Sequence, residues 1–230
     1  MTDPLGAGVT GPLGRGVTDP LGRGATDRDS IARGMEASAR LLLQTLEREG
    51  ALIERMARLW AATIARGRTL FFCGNGGSAA EAQHFAAELV GRFARERRAL
   101  PAIALTTDSS ILTSVGNDYG FERVFARQIE ALGRRGDLLV ALTTSGRSPS
   151  IVAAVVAARV KGMRVIGLTG AGGGAFARRC DLGLVVPSRE TPRVQEVHLV
   201  VGHLCCERAE AAAGSARSRA TPSRGGGRRP

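Results

Sequence analysis

The chain has 230 residues, 43% of them hydrophobic, and this length suffices to bury the core of one α/β domain. No apolar run reaches the roughly 18 residues that cross a bilayer, and no basic N-terminal segment precedes an apolar one, so neither a membrane protein nor an exported one is expected. The four cysteines form no C-x-x-C pair, which predicts free thiols in a reducing compartment and a cytoplasmic location.

The formal net charge of +11 does not by itself indicate a nucleic-acid surface. Residues 215–230 hold five arginines and no acidic residue, and the rest of the chain does not interleave aromatic with basic residues. We predict that residues 211–230 form a disordered Arg-rich tail and do not expect a nucleic-acid partner. Nucleic-acid binding through this tail, weakening steeply with salt, stays open as an alternative activity.

The N-terminus repeats with a period of eight residues, at 2–9, 10–17 and 18–25. Each unit contains proline and glycine but one leucine, too little apolar surface to offset the entropy of ordering, so we predict a disordered octapeptide-repeat extension over 1–29. From Ser30 to Arg66, apolar residues recur at helical spacing. Because Gly50 interrupts this pattern, we predict an N-terminal helical hairpin that packs on the sheet or on another subunit.

Five apolar segments alternate with helical ones in the remainder of the chain. Continuous apolar strands separated by helices predict an α/β fold, a three-layer parallel sheet flanked by helices. The predicted strands are 69–73, 102–105, 137–142, 164–168 and 182–186, and the predicted helices start near 78, 109, 122, 150, 174 and 192.

The segment from Thr69 to Phe93 is the most informative one. It contains a buried strand, a glycine turn at Gly74, Gly76 and Gly77, and a helix that we expect Ser78 to cap. Glycines between a strand and a helix bring N–H groups close to an anion at the positive helix end. The turn therefore predicts a phosphate or polyol site.

Two polar residues of the same helix, His84 and Glu88, are four positions apart. They share one helix face, one turn apart, a spacing that suits two ligands of one metal ion. Such pairs are more often ordinary surface or core partners, so the spacing gains weight only beside the glycine turn.

A second anion-binding segment, 143–150, follows the third predicted strand. Four hydroxyls and a glycine lead into a helix whose first turn accepts Pro149. Hydroxyl and N–H donors at a helix start bind a phosphate monoester without a lysine, and no P-loop is present. An ordinary capped turn is the competing interpretation.

The two segments together resemble the sugar isomerase (SIS) family, and in particular its phosphoheptose isomerase branch. The resemblance covers residues 30–210, which we predict to be the SIS domain. It rests on the segments Cys-Gly-Asn-Gly-Gly-Ser (73–78), Ala-Gln-His-Phe-Ala-Ala-Glu (82–88), Leu-Thr-Thr-Asp (105–108), Val-Gly-Asn-Asp-Tyr-Gly (115–120), Thr-Ser-Gly-Arg-Ser (144–148) and Val-Gln-Glu-Val-His-Leu-Val-Val-Gly-His (194–203).

The resemblance implies a flavodoxin-like sandwich that converts sedoheptulose 7-phosphate to D-glycero-D-manno-heptose 7-phosphate through an enediol, the first step toward ADP- or GDP-heptose precursors. It implies one Zn²⁺ per subunit and a homotetramer with active sites at subunit interfaces. The implied zinc ligands are His84, Glu88, Gln195 and His203. Among them we assign Glu88 as the base and His203 as the acid, two roles that conflict with metal binding unless coordination changes during turnover. The implied substrate contacts are Asn75, Gly76, Gly77, Ser78, Glu88, Asn117, Asp118, Thr143, Thr144, Ser145, Ser148 and Gln195.

Helix geometry constrains the proposed ligand set. Gln195 and His203 would be about 12 Å apart along one helix and about 80° apart around it. Both reach one ion only if their side chains extend toward each other or if different subunits supply them. By the same arithmetic His198 points away from His203, which favours a packing role.

Two further functions stay open beside the isomerase. One is a non-catalytic SIS regulator that binds sugar phosphates and associates with a replication initiator; such a protein need not keep the metal and acid–base side chains. The other is an isomerase for a different phosphosugar, since a phosphate-binding site says little about the length of the sugar's carbon chain.

Overall fold

The structure, a computed structural model, describes residues 26–218. The predicted repeat extension lies outside the described residues as far as position 25, and so does the predicted tail from position 219. The described residues divide into two compact units, one up to Glu36 and the other from Ala37 onward. In the described part of the first unit, Thr26 and Asp29 form a reciprocal cap: the Thr26 N–H donates to Asp29 Oδ2 at 3.2 Å, and the Asp29 N–H donates to Thr26 Oγ1 at 3.2 Å.

The predicted N-terminal hairpin is wrong, because one helix, α1, spans Asp27–Ala65 without a break. Gly50 lies inside this helix. A glycine in a helix interior costs roughly 1 kcal/mol relative to alanine. The buried residues on either side, Leu41 and Thr45 before it and Met56 after it, continue one apolar stripe. Their packing outweighs that cost.

Five parallel strands form one sheet in the order β2-β1-β3-β4-β5. Their bounds are β1 Leu70–Cys73, β2 Ala102–Ala104, β3 Leu138–Thr143, β4 Arg164–Gly170 and β5 Leu182–Val186. The α/β parallel sheet predicted from the apolar segments is therefore confirmed, and each strand lies within two residues of its predicted start and end. This 2-1-3-4-5 order is the flavodoxin-like one.

The strand order reverses between β1 and β3, which are neighbours paired through Cys73 and Ala141. In open parallel sheets, such a reversal leaves a crevice beyond the carboxyl ends of the two strands. The glycine turn after β1 and the hydroxyl-rich segment after β3 both start at this crevice. The topology thus brings together two segments that are about 70 residues apart in sequence.

Helices cover both faces of the sheet. They are α2 Gly77–Val90, α3 Ser109–Tyr119, α4 Ala126–Leu132, α5 Pro149–Val160, α6 Gly174–Ala177 and α7 Thr191–Ser218, with a 3₁₀ turn at Phe121–Arg123. The last helix continues eight residues beyond its predicted end at Glu210, so the start of the predicted tail, 211–218, is helical. No helix within 26–218 is both long and apolar enough to be a membrane span.

Two apolar clusters form the core, one on each face of the sheet. One includes residues of α1, α2 and α7 with alternate strand residues such as Phe72 and Val140, and the other packs α4 and α5 on residues such as Phe71 and Leu139. In the first cluster the Trp60 ring packs edge-on against Phe72 and Phe85, with centroids 5.1 and 6.1 Å apart. This packing fixes α1 and α2 against the sheet.

Candidate active site

A polar cavity of about 390 Å³ lies at the reversal point, where α2 and α5 begin. Ligand pockets in proteins typically range from roughly 300 to 1,000 Å³, so a phosphosugar end fits here. The first-turn N–H groups of a helix have no partner within the helix. At the start of α2, however, the N–H groups of Ser78 and Ala79 already donate to the carbonyls of Asn75 and Gly76 at 3.0 Å. The first residue of α5, Pro149, has no N–H, so the two helices contribute mainly the positive ends of their dipoles to this cavity. Its lining residues are Asn75, Gly76, Gly77, Ser78, Leu142, Thr143, Thr144, Ser145, Ser148, Thr191 and Gln195.

The glycine turn brings the backbone close to this cavity. Gly76 has φ +55°, a conformation that side chains disfavour, and it precedes the first residue of α2. A methyl group at Gly77 would clash with the amide of Gln195, and one at Gly74 would overlap the backbone of Ser78. The turn is thus as tight as the sequence predicted.

Ser78 does not cap α2, contrary to prediction. The helix begins one residue earlier, at Gly77, and its cap residue Gly76 has no side chain to donate or accept. Ser78 is instead 3% exposed, inside the first turn, and it also lines the cavity.

The hydroxyls after β3 are organised by hydrogen bonds from the opposite wall. Asn75 Nδ2 donates to Ser148 Oγ at 2.8 Å and to Ser150 Oγ at 3.0 Å. The Gly146 N–H donates to Thr143 Oγ1 at 3.2 Å. Ser148 is the residue before α5 but makes no capping bond with its own helix, so its hydroxyl faces the cavity network. The two predicted anion-binding segments therefore form one cradle.

Three ligating side chains meet at a second place, where α2 lies beside α7. His84 Nε2 is 2.7 Å from His203 Nε2 and 3.4 Å from Glu88 Oε1. Ligand atoms of all three residues lie within 4.8 Å of one another. The approach of the helices depends on Gly202, where a methyl group would clash with the Phe85 ring. His84 is exposed and the other two are half-buried, so the cluster can be reached from solvent.

The three residues fit a zinc ion by their chemistry. Two imidazole nitrogens and one carboxylate oxygen are a common zinc donor set, and catalytic sites leave the next position for water or substrate. Gln195, the fourth predicted ligand, lies on the same helix as His203 and lines the cradle against Gly77. Its role as a ligand stays a prediction.

Asn117 and Asp118 are not brought to the cradle within this chain. Both are exposed near the end of α3, where Asn117 Nδ2 donates to Asp118 Oδ1 at 2.8 Å. Neither is among the residues that line the cavity. Their predicted sugar contacts stay a prediction that a second subunit could satisfy.

Sequence reasoning missed a buried carboxyl group between the cradle and the ligand cluster. Glu81, on α2, is 8% exposed, and neither of its oxygens forms a well-aligned hydrogen bond with a described residue. Burial raises the pKa of Glu81 to about 7, and the nearby Ser78 hydroxyl opposes this shift in part. The sequence places Glu81 in the same predicted helix as His84 and Glu88, but no motif singled it out.

His198 is fully buried, as its predicted packing role requires. Burial lowers the pKa of His198 to about 4, and the nearby Thr169 backbone opposes this shift in part. The ring is therefore neutral at pH 7. All four cysteines are free, and all but Cys180 are buried, in agreement with the predicted free thiols.

The model of the SIS domain family matches residues 35–170, which is more than half of the chain. The chain belongs to the SIS family. A relative called phosphoheptose isomerase, from Nitratidesulfovibrio vulgaris, is 59% identical to it over 155 residues, covering 67% of this chain and 74% of the relative. This similarity places the SIS domain in the phosphoheptose isomerase branch.

Solved structures agree with that assignment. A phosphoheptose isomerase from Neisseria gonorrhoeae is 41% identical and superposes with a TM-score of 0.76, covering 81% of this chain and 100% of that one. By contrast, the Vibrio vulnificus NanR protein complexed with ManNAc-6P is 17% identical, with a TM-score of 0.53 over 83% of this chain and 67% of that one. The latter similarity concerns the fold alone. The similarity to proteins named phosphoheptose isomerase does not favour the regulator alternative.

Proposed function

We propose that this SIS protein is a phosphoheptose isomerase that interconverts sedoheptulose 7-phosphate and D-glycero-D-manno-heptose 7-phosphate. The observation that carries the proposal is the pairing of two sites in one chain. A phosphate-sized polar cradle and a His-Glu-His cluster are both built on α2 and α7, in a chain 59% identical to a relative of that name.

The cradle binds the phosphate end of the sugar in this proposal. Hydroxyls of Thr143, Thr144, Ser145 and Ser148 surround it, and the α2 and α5 starts add the positive ends of two helix dipoles. Asn75 holds Ser148 in place and so orders the wall. No lysine is needed, because the donors are uncharged groups fixed before the substrate arrives.

His84, Glu88 and His203 would hold one zinc ion per subunit, with Gln195 as the fourth ligand. Bound there, the zinc would polarise the oxygens on C1 and C2 of the sugar and stabilise negative charge that develops on them. The donor atoms of the first three residues already converge to within 4.8 Å.

The isomerisation moves one proton between two carbons. A carboxylate or imidazole bound to zinc is a poorer base than a free one, so in this proposal Glu88 and His203 leave the ion during turnover. Glu88 then accepts the proton from C1 of the ketose, which leaves an enediol across C1 and C2, and the same proton or one from solvent is returned to C2. His203 moves a proton between the two oxygens, so that the C2 carbonyl becomes a hydroxyl while the C1 hydroxyl becomes the aldehyde. Rings of Phe85 and Phe93 pack beside His203, with centroids 6.5 and 5.6 Å from that of its imidazole.

A homotetramer completes the site in this proposal. The exposed pair Asn117 and Asp118 would reach the sugar of a neighbouring subunit, which agrees with their position outside the cradle of their own chain. Free thiols support a reducing compartment, the cytoplasm, as the place of action.

The direct test is to follow sedoheptulose 7-phosphate by NMR in the presence of the purified full chain. The aldose should appear with zinc, stop appearing after chelation and reappear when zinc is restored. An absence of aldose with zinc-loaded, folded protein would contradict the proposal and favour a sugar-phosphate-binding role.

A further inference from the structure

A buried ion pair joins the two helices that carry the ligand cluster. Arg97, in the segment after α2, and Glu210, on α7, have side chains that are each 3% exposed. Arg97 Nε lies 3.3 Å from Glu210 Oε1, a charge contact without good hydrogen-bond alignment. A buried pair of this kind requires other hydrogen bonds to satisfy its remaining polar atoms.

Glu210 receives three backbone donors from one short segment. The Phe93 N–H donates to Oε1, and the N–H groups of Ala94 and Arg95 donate to Oε2, all at 3.0 Å. Burial alone would raise the pKa of Glu210, but these three donors and the Arg97 charge outweigh it and hold the pKa below its usual range. The carboxylate is thus an anchor for the segment 93–95.

Arg97 binds the carboxyl end of α2 in the same way. Its Nη2 donates to the Glu88 carbonyl at 2.7 Å, and its Nη1 donates to the Gly91 carbonyl at 2.6 Å and to the Arg98 carbonyl at 3.0 Å. Carbonyls in the last turn of a helix have no partner within it. The guanidinium therefore caps α2 at the residue whose side chain belongs to the ligand cluster.

The cross-link lies next to two members of the cluster, Glu88 and His203. Glu88 is held through its carbonyl, and the Phe93 ring, 5.6 Å from the His203 ring, is held through its backbone. Glu210 lies two turns after His203 on α7. The pair thus determines how far the end of α2 lies from α7.

Stability alone does not account for this arrangement. Replacing a buried ion pair with well-packed apolar residues is often neutral or stabilising, while the specific geometry of a charged pair is lost. We propose that Arg97 and Glu210 are positioning residues that hold Glu88 and His203 at the separation a shared metal ion requires. This inference rests on one part of the proposed function, namely that the His84–Glu88–His203 cluster binds the metal ion.

The test measures metal binding and activity separately in Arg97→Lys, Glu210→Gln and the apolar double variant R97M/E210L. Affinity is measured by competition between the protein and a chromogenic chelator for Zn²⁺, and ligand geometry by the visible absorption of bound Co²⁺. Loss of an outer partner of a metal site typically costs 10–100-fold in affinity or activity. We expect 10-fold or more weaker Zn²⁺ binding and an altered Co²⁺ spectrum in each variant, with KM for the sugar phosphate within about twofold of the parent.

The double variant distinguishes a positioning effect from a folding defect. It removes both charges of the pair, so no buried charge is left without a partner to destabilise the fold. A matched control is Ile129→Ala, in the core cluster on the other face of the sheet. It should lower the melting temperature without altering Zn²⁺ affinity. Parent-like affinity and Co²⁺ spectra in all three variants would overturn the proposal, as would an equal loss of Zn²⁺ binding in Ile129→Ala. Since Zn²⁺ affinity is measured without substrate, a failure of the isomerase proposal would appear only in the turnover assay.

Discussion

The phosphate cradle and the His84–Glu88–His203 cluster are built in different ways, although both depend on α2. The cradle comes from two contiguous segments at the start of helices, and its hydroxyls are already ordered by hydrogen bonds such as that from Asn75 to Ser148. The cluster joins side chains that are 119 residues apart, and it depends on how closely two helices pack. The first is set by local turns, whereas the second is set by tertiary structure.

This difference predicts that the two sites fail independently. Changes in the cluster should abolish turnover while leaving phosphate binding intact, and changes in the cradle should weaken binding while leaving the metal in place. The variants below test this separation, beginning with the largest expected effect.

Glu88→Gln should lower kcat by a factor of about 10² to 10⁴, because it removes both the proposed base and a metal ligand but little volume. KM for sedoheptulose 7-phosphate should change by less than about threefold. Turnover followed by NMR, with Zn²⁺ content measured in parallel, checks this. Retention of more than a tenth of the parent rate would exclude Glu88 as the base.

Glu81→Gln should change how stability depends on pH. The pKa of Glu81 is raised from 4.5 to about 7 in the folded state, so the folded protein holds a proton that the unfolded chain releases between these values. Stability from this group is therefore complete below pH 4.5 and lost as the pH rises to 7, by about 3 kcal/mol at about 1.4 kcal/mol per pH unit. The variant should lack this loss.

Urea unfolding at pH 5 and pH 8 measures the effect. Glu81→Gln should gain stability relative to the parent at pH 8 by more than it does at pH 5. The exposed Glu47→Gln is the matched control and should show no such difference. Equal pH dependence in the parent and Glu81→Gln would show that the carboxyl is charged in its site.

Ser148→Ala should raise KM for the sugar phosphate by about tenfold with kcat nearly unchanged. The change removes a cradle hydroxyl and leaves the Asn75 amide with Ser150 Oγ as its remaining acceptor. The loss of binding free energy should be roughly 1 kcal/mol or somewhat more. Initial rates across substrate concentrations give both constants. Ser114→Ala, in an exposed part of α3, serves as the control. A fall in kcat with KM unchanged would mean that Ser148 acts at the reacting end.

The same local-versus-tertiary difference explains what the sequence could predict. Continuous apolar strands such as 138–143 and the glycine turn are local signals, so the parallel sheet and the cradle follow from them. The His84–Glu88 spacing predicts a shared helix face, but only the family resemblance added His203. Its partnership depends on Gly202 admitting Phe85, which no local pattern encodes.

Two predictions from local patterns were wrong. Gly50 weakens a helix locally, yet the apolar stripe along α1 continues across it. Ser78 has the residue type of a helix cap, but α2 starts one residue earlier and Ser78 is buried in its first turn. At Gly50, tertiary packing outweighed a local preference worth about 1 kcal/mol.

The independence of the phosphate cradle and the His84–Glu88–His203 cluster can be measured directly by calorimetric titration of sedoheptulose 7-phosphate into metal-free and zinc-loaded protein. If the cradle supplies most of the binding, the metal-free protein should bind the sugar phosphate within about tenfold of the loaded protein's affinity while producing no aldose. Undetectable binding by folded, metal-free protein, or undiminished turnover without metal, would contradict the account.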